Sequence, residues 1–170
     1  MRIAGFILSV AGLACCTGCI GAVAGRGLAE VRGASAEIYP LKAIPAGAAR
    51  SASQIKIAPV EADGASASEF RAPLQAGLHA ALAKAKTPSG SGGALTIRSI
   101  VRFYEGKGAS KLVGGMALAI ARIEVVDREG TVIGKADALA STKALRTGEE
   151  DLAEAMAKEI IEWVTQGPNR

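Results

Sequence analysis

Three cysteines lie within five residues of one another, at Cys15, Cys16 and Cys19, and the rest of the 170-residue chain contains none. Their thiols become nucleophiles when they are deprotonated. Cys16 and Cys19 have the spacing of a redox pair, but a redox pair needs a strand that leads into a helix, and here an apolar leader precedes it. The position of the cysteines at the end of that leader favours a processing site instead.

The leader has the order of a secretory signal. Its only charge is Arg2, residues 3 to 14 are uncharged, and small residues surround the cysteines that follow. An uncleaved anchor over residues 3 to 24 is the alternative, because that stretch is long enough to cross a bilayer. Its glycines and alanines lower its hydrophobicity, so we predict that the chain is exported and the leader removed.

The leader and its cysteines resemble those of bacterial lipoprotein precursors. The resemblance implies that a signal peptidase cuts just before a cysteine whose sulfur carries diacylglycerol. We predict cleavage before Cys19, which makes residues 1–18 the lipoprotein signal peptide, and Cys15 stays open as the alternative lipidation site. In this class, aspartate after the anchor retains a protein in the inner membrane. This chain has Ile20 there, which implies a lipid anchor in the outer membrane, on the periplasmic side.

The rest of the chain has the length of one domain. A lipidated tether and approach segment is predicted over 19–53, and a single α+β domain over 54–166. The formal charge of +4 falls to +3 without Arg2, and the basic residues are spread along the chain. Because no dense basic run is available to neutralise phosphates, nucleic acid is excluded as a partner.

A short edge strand could form at 36–40, and alternation of apolar and polar residues predicts four further strands, at 55–57, 95–104, 116–127 and 131–142. Pro40 and Pro59 close the first two, since proline cannot donate to a sheet. In the third strand, Phe103 is predicted to face the core and Tyr104 the opposite side. The connection from Asp127 to Gly130 is typical of a hairpin turn in which the glycine takes a positive φ.

Apolar residues at every fourth position predict two helices, one from Phe70 to Leu82 and one that closes the chain. Pro73 either marks the start of the first helix, near Ala72, or bends its first turns. In the second helix, Trp163 lies in the predicted buried stripe. Capping boxes are predicted at Ser66 with Glu69 and at Thr147 with Glu150. The order strand-helix-strand-strand-strand-helix predicts an α+β fold, with both helices on one face of a mostly antiparallel sheet.

The run from Ala94 to Trp163 carries a second resemblance. It consists of LTIRSIVRFYEG, the glycine-rich GKGASKLVGG, MALAIARIEVVDREGTVIGKA and a final amphipathic helix. This pattern resembles an exported bacterial lipoprotein family of unknown function, and it is similar in outline to the pellicle-polysaccharide export lipoprotein and the TolB N-terminal domain. The resemblance covers residues 50 to 165 and implies the same fold and a scaffold role, in some members as rings.

Few residues of the domain suggest catalysis. His79 is the only histidine and cannot form an ordinary zinc site without cysteines beyond the leader. The Gly-x-Ser-x-Gly motif is absent. The segment 106–111 lacks the spacing of a phosphate-binding loop and precedes a predicted strand. The acidic run 149–151 is explained by the preference of helix N-termini for acids. No catalytic residue, metal or cofactor is predicted.

The glycine-rich connection after the third strand is the predicted partner surface, because it places two cations beside exposed apolar groups. The predicted binding residues are Lys107, Lys111, Leu112, Val113, Arg98 and Arg102. Such a surface suits an anionic glycan, an envelope protein or a second copy of the chain. We therefore predict a non-enzymatic cell-envelope lipoprotein that binds or scaffolds another envelope component. The alternative is an envelope hydrolase that acts on glycan or peptide.

Overall fold

The computed structural model describes residues 33–86, 88–106, 117–142 and 148–167. The three cysteines, and four of the predicted binding residues, Lys107, Lys111, Leu112 and Val113, lie outside these ranges. Within them, no helix is long and apolar enough to cross a membrane.

Six strands and four helices make up the described domain. The strands are β1 Ala34–Lys42, β2 Ile55–Ile57, β3 Glu61–Ala62, β4 Leu95–Glu105, β5 Leu118–Val126 and β6 Val132–Thr142. The helices are α1 Ala48–Ser51, α2 Ala65–Glu69, α3 Arg71–Lys84 and α4 Glu149–Gln166.

The strands form one sheet in the order β1-β6-β5-β4-β2, and β3 also pairs with β4. The pairs β1/β6, β6/β5 and β5/β4 are antiparallel, whereas β2 and β3 run parallel to β4. The prediction of an α+β fold with a mostly antiparallel sheet is confirmed. The parallel pairs require a crossover, and α2 and α3 supply it between β3 and β4.

The sheet also includes β1, so the described domain begins well before residue 54. β1 pairs with β6 from Ala34 to Lys42 and passes Pro40, with an irregularity between Pro40 and Lys42. As an edge strand it has one side free of the ladder, where proline is tolerated. Ala36 and Ile38 pack on the core, and these small alternating residues give only a weak strand signal in the sequence.

Pro59 interrupts the other edge of the sheet, as the sequence predicts, but pairing resumes beyond it. The Ala58 N–H donates to the Ile97 carbonyl at 2.9 Å, and the Asp63 N–H donates to the Val101 carbonyl at 2.8 Å. Between them, the Val60 N–H donates to the side chain of Gln75 on α3 at 2.7 Å. The proline therefore splits one edge strand into β2 and β3.

α3 begins at Arg71, which places Pro73 in its first turn, where a missing N–H costs no hydrogen bond. This confirms the first of the two alternatives for Pro73. α2 precedes α3 as a separate short helix, and Phe70 joins them.

Neither predicted capping box has the predicted residues. Ser66 lies inside α2, whose N-cap is Gly64, and no side chain caps it. At α4 the N-cap is Gly148, whose N–H donates to the Asp151 carboxylate at 2.9 Å. This is one half of a capping box, since Gly148 has no side chain to supply the other half. Both helices start one or more residues away from the hydroxyl residue that the motif required.

The core lies between the sheet and the helices. Small residues of β5 and β6 that face α4 are fully buried, namely Ala119, Ala121, Ala136, Ala138 and Ala140. From α4, Leu152, Met156 and Ile160 are also fully buried, and Trp163 is 8% exposed. Because alanines line the sheet, the backbone of α4 can approach it closely. The predicted buried stripe of this helix is confirmed.

α3 and α4 make a similarly close contact with each other at Gly77. A Cβ atom at this position would lie 3.0 Å from the Ala153 carbonyl oxygen and 3.2 Å from the Ala157 Cβ. A larger side chain would therefore force the two helices apart.

The hairpin between β5 and β6 is confirmed. Gly130 has φ 87°, a conformation that glycine adopts without steric cost. The Gly130 N–H donates to the Asp127 carbonyl at 3.1 Å, and the Asp127 carboxylate accepts from the N–H groups of Glu129 and Thr131, both at 2.9 Å.

The predicted orientations of Phe103 and Tyr104 are wrong. The pairing of β4 with β5 shifts register between Val101 and Phe103, which leaves Arg102 as the extra residue of a β-bulge. Because one residue is inserted, every later side chain changes face. Phe103 is 39% exposed, and Tyr104 is buried and stacks on Phe70 with ring centroids 4.9 Å apart.

Candidate functional site

The face of the sheet opposite the helices is a candidate binding surface. No described helix covers it, and its side chains are all at least partly exposed. We call it the open face and define it by Glu37, Tyr39, Arg98, Ile100, Phe103, Leu118, Ile120, Arg122, Glu124, Lys135, Asp137, Leu139 and Ser141.

An apolar row crosses the open face. Phe103 of β4 lies in register with Ile120 of β5, which lies in register with Leu139 of β6, and Glu37 of β1 ends the row. Next to Glu37 on the edge strand, Tyr39 is 48% exposed. Side chains of this size are usually buried, and a group of them on one exposed face is typical of a protein interaction surface.

Two of the three cations of the open face are paired with carboxylates. Arg122 donates two hydrogen bonds to the Asp137 carboxylate, the longer of which is 3.1 Å, and Lys135 lies 2.8 Å from Glu124. The hydrogen bond to Asp137 raises the pKa of Arg122 above its already high ordinary value. The open face therefore carries both signs of charge beside its apolar row.

Two of the predicted binding residues, Arg98 and Arg102, lie in the described part of the chain. Arg98 lies on the open face, where it borders a recess of about 350 Å³ together with Glu61, Arg122 and Glu124. Arg102 is the bulge residue and forms a 3.0 Å ion pair with Asp63, which follows β3. Each arginine thus has carboxylates nearby.

A second concavity, which the sequence analysis missed, lies between α3 and α4. This groove has a volume of about 820 Å³ and is lined by α1, β2, α3, the segment after α3, and α4. None of its lining residues belongs to the open face. The sequence signal was the group of small residues at Gly77, Ala80 and Ala81, followed by Lys84 and Lys86. These residues alone do not indicate a groove, because the other wall comes from residues far along the chain.

His79 and Ser99 are residue types that often act in catalysis, and the structure shows what surrounds each of them. His79 is exposed on α3, and its Nε2 lies 2.7 Å from the Gln75 side-chain nitrogen. Ser99 is buried in the core, and its hydroxyl has no hydrogen-bond partner among the described residues. Among the residues that the structure describes, no group of three or more His, Cys, Asp or Glu residues could hold a metal ion.

Tyr104 has the most perturbed environment of the described tyrosines. Burial, the nearby carboxylates of Glu149 and Glu69, and a hydrogen bond to Glu149 together raise its pKa from 10.0 to about 12. All of these effects favour the neutral phenol, so Tyr104 is a packing residue and not a proton carrier near neutral pH.

This shift predicts a pH dependence of stability. Between pH 10 and 12 the unfolded chain releases the Tyr104 proton that the folded chain retains, so the free energy of unfolding should fall across this window as pH rises. The Tyr104→Phe variant should lack this component. Urea unfolding of both proteins from pH 9 to 12 measures this component. The free energy of unfolding of the wild type should fall relative to that of Tyr104→Phe as pH rises. Parallel pH profiles would show that Tyr104 ionises normally in the folded state.

No protein-family model matches this chain, and no curated protein matches it. Solved structures with a similar backbone include the PelC dodecamer from Paraburkholderia phytofirmans, with 16% identity over 76% of this chain and 97% of that one, at a TM-score of 0.45. A single-residue variant of that dodecamer has 13% identity over 78% and 97% of the two chains, at a TM-score of 0.46. A Caulobacter crescentus protein assigned as a lipoprotein has 16% identity over 65% and 88%, at a TM-score of 0.42.

Proposed function

We propose that this chain is a cell-envelope lipoprotein, anchored by lipid at Cys19 to the periplasmic side of the outer membrane, whose domain binds or scaffolds another envelope component. The leader and its cysteines support the anchor. The observation that carries the binding role is the open face, where an apolar row stays at least partly exposed and where two of the three exposed large apolar side chains of the described residues, Tyr39 and Phe103, lie; the third is Leu41 on the edge strand β1.

The composition of the open face favours a protein as the partner. Protein interfaces are enriched in aromatic residues and arginine, and a few such residues supply most of the binding energy. Phe103, Tyr39 and Arg122 are of these types. Because Asp137 and Glu124 neutralise the cations, an anionic glycan would find little net positive charge there.

The anchor predicts the outcome of replacing Cys19 by serine. The variant should receive no diacylglycerol and should persist as the heavier, unprocessed precursor, because only a thiol can form the thioether. Mass spectrometry of the membrane fraction measures both changes. A lipid found on Cys15 would show that the anchor is Cys15 and that the protein is still a lipoprotein. An unlipidated mature protein would contradict the proposal.

The partner surface predicts the effect of replacing Phe103 by serine. Loss of one exposed aromatic should leave the fold intact but weaken binding of the partner by roughly tenfold, as expected for a central interface residue. Cross-linking of the full lipidated chain in membranes, followed by quantitative mass spectrometry, measures recovery of the partner. Sedimentation of the purified protein shows whether that partner is a second copy. His79→Ser is the matched control, since it also removes an exposed ring, from α3.

The loop residues Lys107, Lys111, Leu112 and Val113 remain part of the proposed surface, since the loop joins β4 to β5. Replacing Lys107 and Lys111 by glutamate should also weaken recovery, and more strongly at low salt, because exposed charges are less screened there. Loss of the partner in this variant but not in Phe103→Ser would assign binding to the loop alone. Turnover of cell-wall fragments that one serine or carboxylate substitution abolishes would favour the hydrolase instead.

A further inference from the structure

The groove between α3 and α4 has the size and the chemistry of a ligand site. Its volume of about 820 Å³ falls within the range of about 300 to 1,000 Å³ that is usual for small-molecule sites. Its floor is made of small and aliphatic side chains, namely Ala49, Ile55, Gly77, Ala81 and Ile161.

The uncharged polar residues that line the groove are Ser89, Thr165 and Gln166, and the other polar lining residues are charged. The Thr165 hydroxyl already donates to the Ile161 carbonyl of its own helix at 2.7 Å. Ser89 and Gln166 are exposed. The floor therefore favours a ligand that is apolar where it contacts the floor, since a buried polar group without a partner costs free energy, and the charged residues favour a polar group at one end of that ligand.

Two cations line the groove on the elements that meet beside α1. The Gly90 N–H donates to the Ala52 carbonyl at 3.1 Å, and the Gly92 N–H donates to the Ser51 carbonyl at 2.8 Å. These bonds hold the segment after α3 against the C-terminus of α1. Arg50, in the last turn of α1, and Lys86, just after α3, both line the groove.

These two cations differ from the others in the groove. Lys84 lies 3.7 Å from Glu154, and Lys158 lies 3.9 Å from Glu162, so each has a carboxylate. Arg50 and Lys86 have none among the described residues. The C-terminal ends of α1 and α3 disfavour an anion. Charge-assisted hydrogen bonds from two cations oppose that effect, since such bonds are stronger than those between neutral groups.

We propose that this groove binds an anionic single-chain lipid, with its acyl chain along the floor between α3 and α4 and its phosphate held by Arg50 and Lys86. Burial of each methylene group favours binding, so the acyl chain supplies affinity and the two cations supply selectivity for the head group. The site shares no residue with the open face, so it is a second binding activity beyond the proposed function.

Photolabelling of the full lipidated protein in phosphatidylcholine nanodiscs tests the proposal. The probe is palmitoyl lysophosphatidylglycerol with a diazirine near the end of its chain, and the comparison probe is the matching lysophosphatidylcholine. Saturable labelling of peptides that contain Ala81 or Ile161 is expected, with an apparent Kd at least tenfold lower for the anionic probe. Labelling spread over the whole surface, or equal affinity for both probes, would overturn the proposal.

Two pairs of variants separate the roles of the floor and the cations. Ala80→Trp should fill the groove and reduce labelling by both probes at least tenfold, whereas Ala76→Trp, on the same helix but outside the groove, should not. Arg50→Ser with Lys86→Ser should abolish the preference for the anionic probe, and Lys56→Ser should keep it. Unchanged labelling in Ala80→Trp would overturn the site. A cross-link between the groove and the protein's own lipid anchor would show that the anchor's acyl chain fills the groove. That result would overturn the assignment of a separate anionic lipid as the ligand.

Discussion

Replacing Trp163 by alanine is expected to lower the free energy of unfolding by about 3 to 5 kcal/mol. Trp163 lies near the end of α4 and is 8% exposed, and no side chain type in the core is larger. Its indole N–H has no hydrogen-bond partner among the described residues, so the loss is one of packing alone. A domain of this size has about 5 to 15 kcal/mol of stability in total, so the variant should unfold near ambient conditions.

Urea unfolding followed by far-ultraviolet circular dichroism measures this loss, because the substitution removes the only tryptophan and with it the fluorescence signal. Trp163→Phe keeps most of the buried volume and should lose much less stability. Gln166→Ala, at an exposed position of the same helix, should behave as wild type. If Trp163→Ala and wild type unfold at the same midpoint, α4 does not pack on the sheet as described.

Replacing Ala138 by leucine is expected to destabilise the domain by about 1 to 3 kcal/mol, or more if α4 cannot move. Ala138 is fully buried at the centre of β6, with Ala121 of β5 on one side and Ile38 of β1 on the other. The alanines of this face leave no volume for a longer side chain beneath α4. The added carbons must therefore lift the helix or force the leucine into a strained rotamer.

Ser141→Leu is the matched control for this prediction. Ser141 lies on the open face of the same strand, so the added side chain meets solvent, and the expected change stays within about 0.5 kcal/mol. Thermal unfolding of the two variants beside wild type measures the difference. Equal stability of Ala138→Leu and Ser141→Leu would mean that the two faces of the sheet are not distinguished by helix packing.

Local signals in the sequence were sufficient for the central elements. Three patterns each act within a few residues: the alternation in β5 and β6, the glycine at 130, and the apolar stripe that contains Trp163. The local structure that each one specifies therefore does not depend on the rest of the chain. The α+β class follows from these elements and their order. The leader and its cysteines are also local, which is why the anchor can be predicted from them.

The position of single side chains depended on pairing across the sheet. One inserted residue at the bulge moved Phe103 to the open face and Tyr104 into the core, where it stacks on Phe70. No local pattern marks this insertion, because it is specified by the register of β4 against β5. The extent of β1 also depended on pairing: the sequence indicates a short edge strand at 36–40, and pairing with β6 extends it from Ala34 to Lys42.

What the sequence by itself determined is therefore the class of the fold, the central strands and the closing helix, since these follow from periodicities of two and 3.6 residues within continuous segments. Only the tertiary structure decided which faces are buried, which charges are paired and where cavities lie. Those features join residues far apart in the chain, such as Arg122 with Asp137 or Gly77 with Ala153. The open face and the groove are both of this second kind, because each exists only when separate elements are packed side by side.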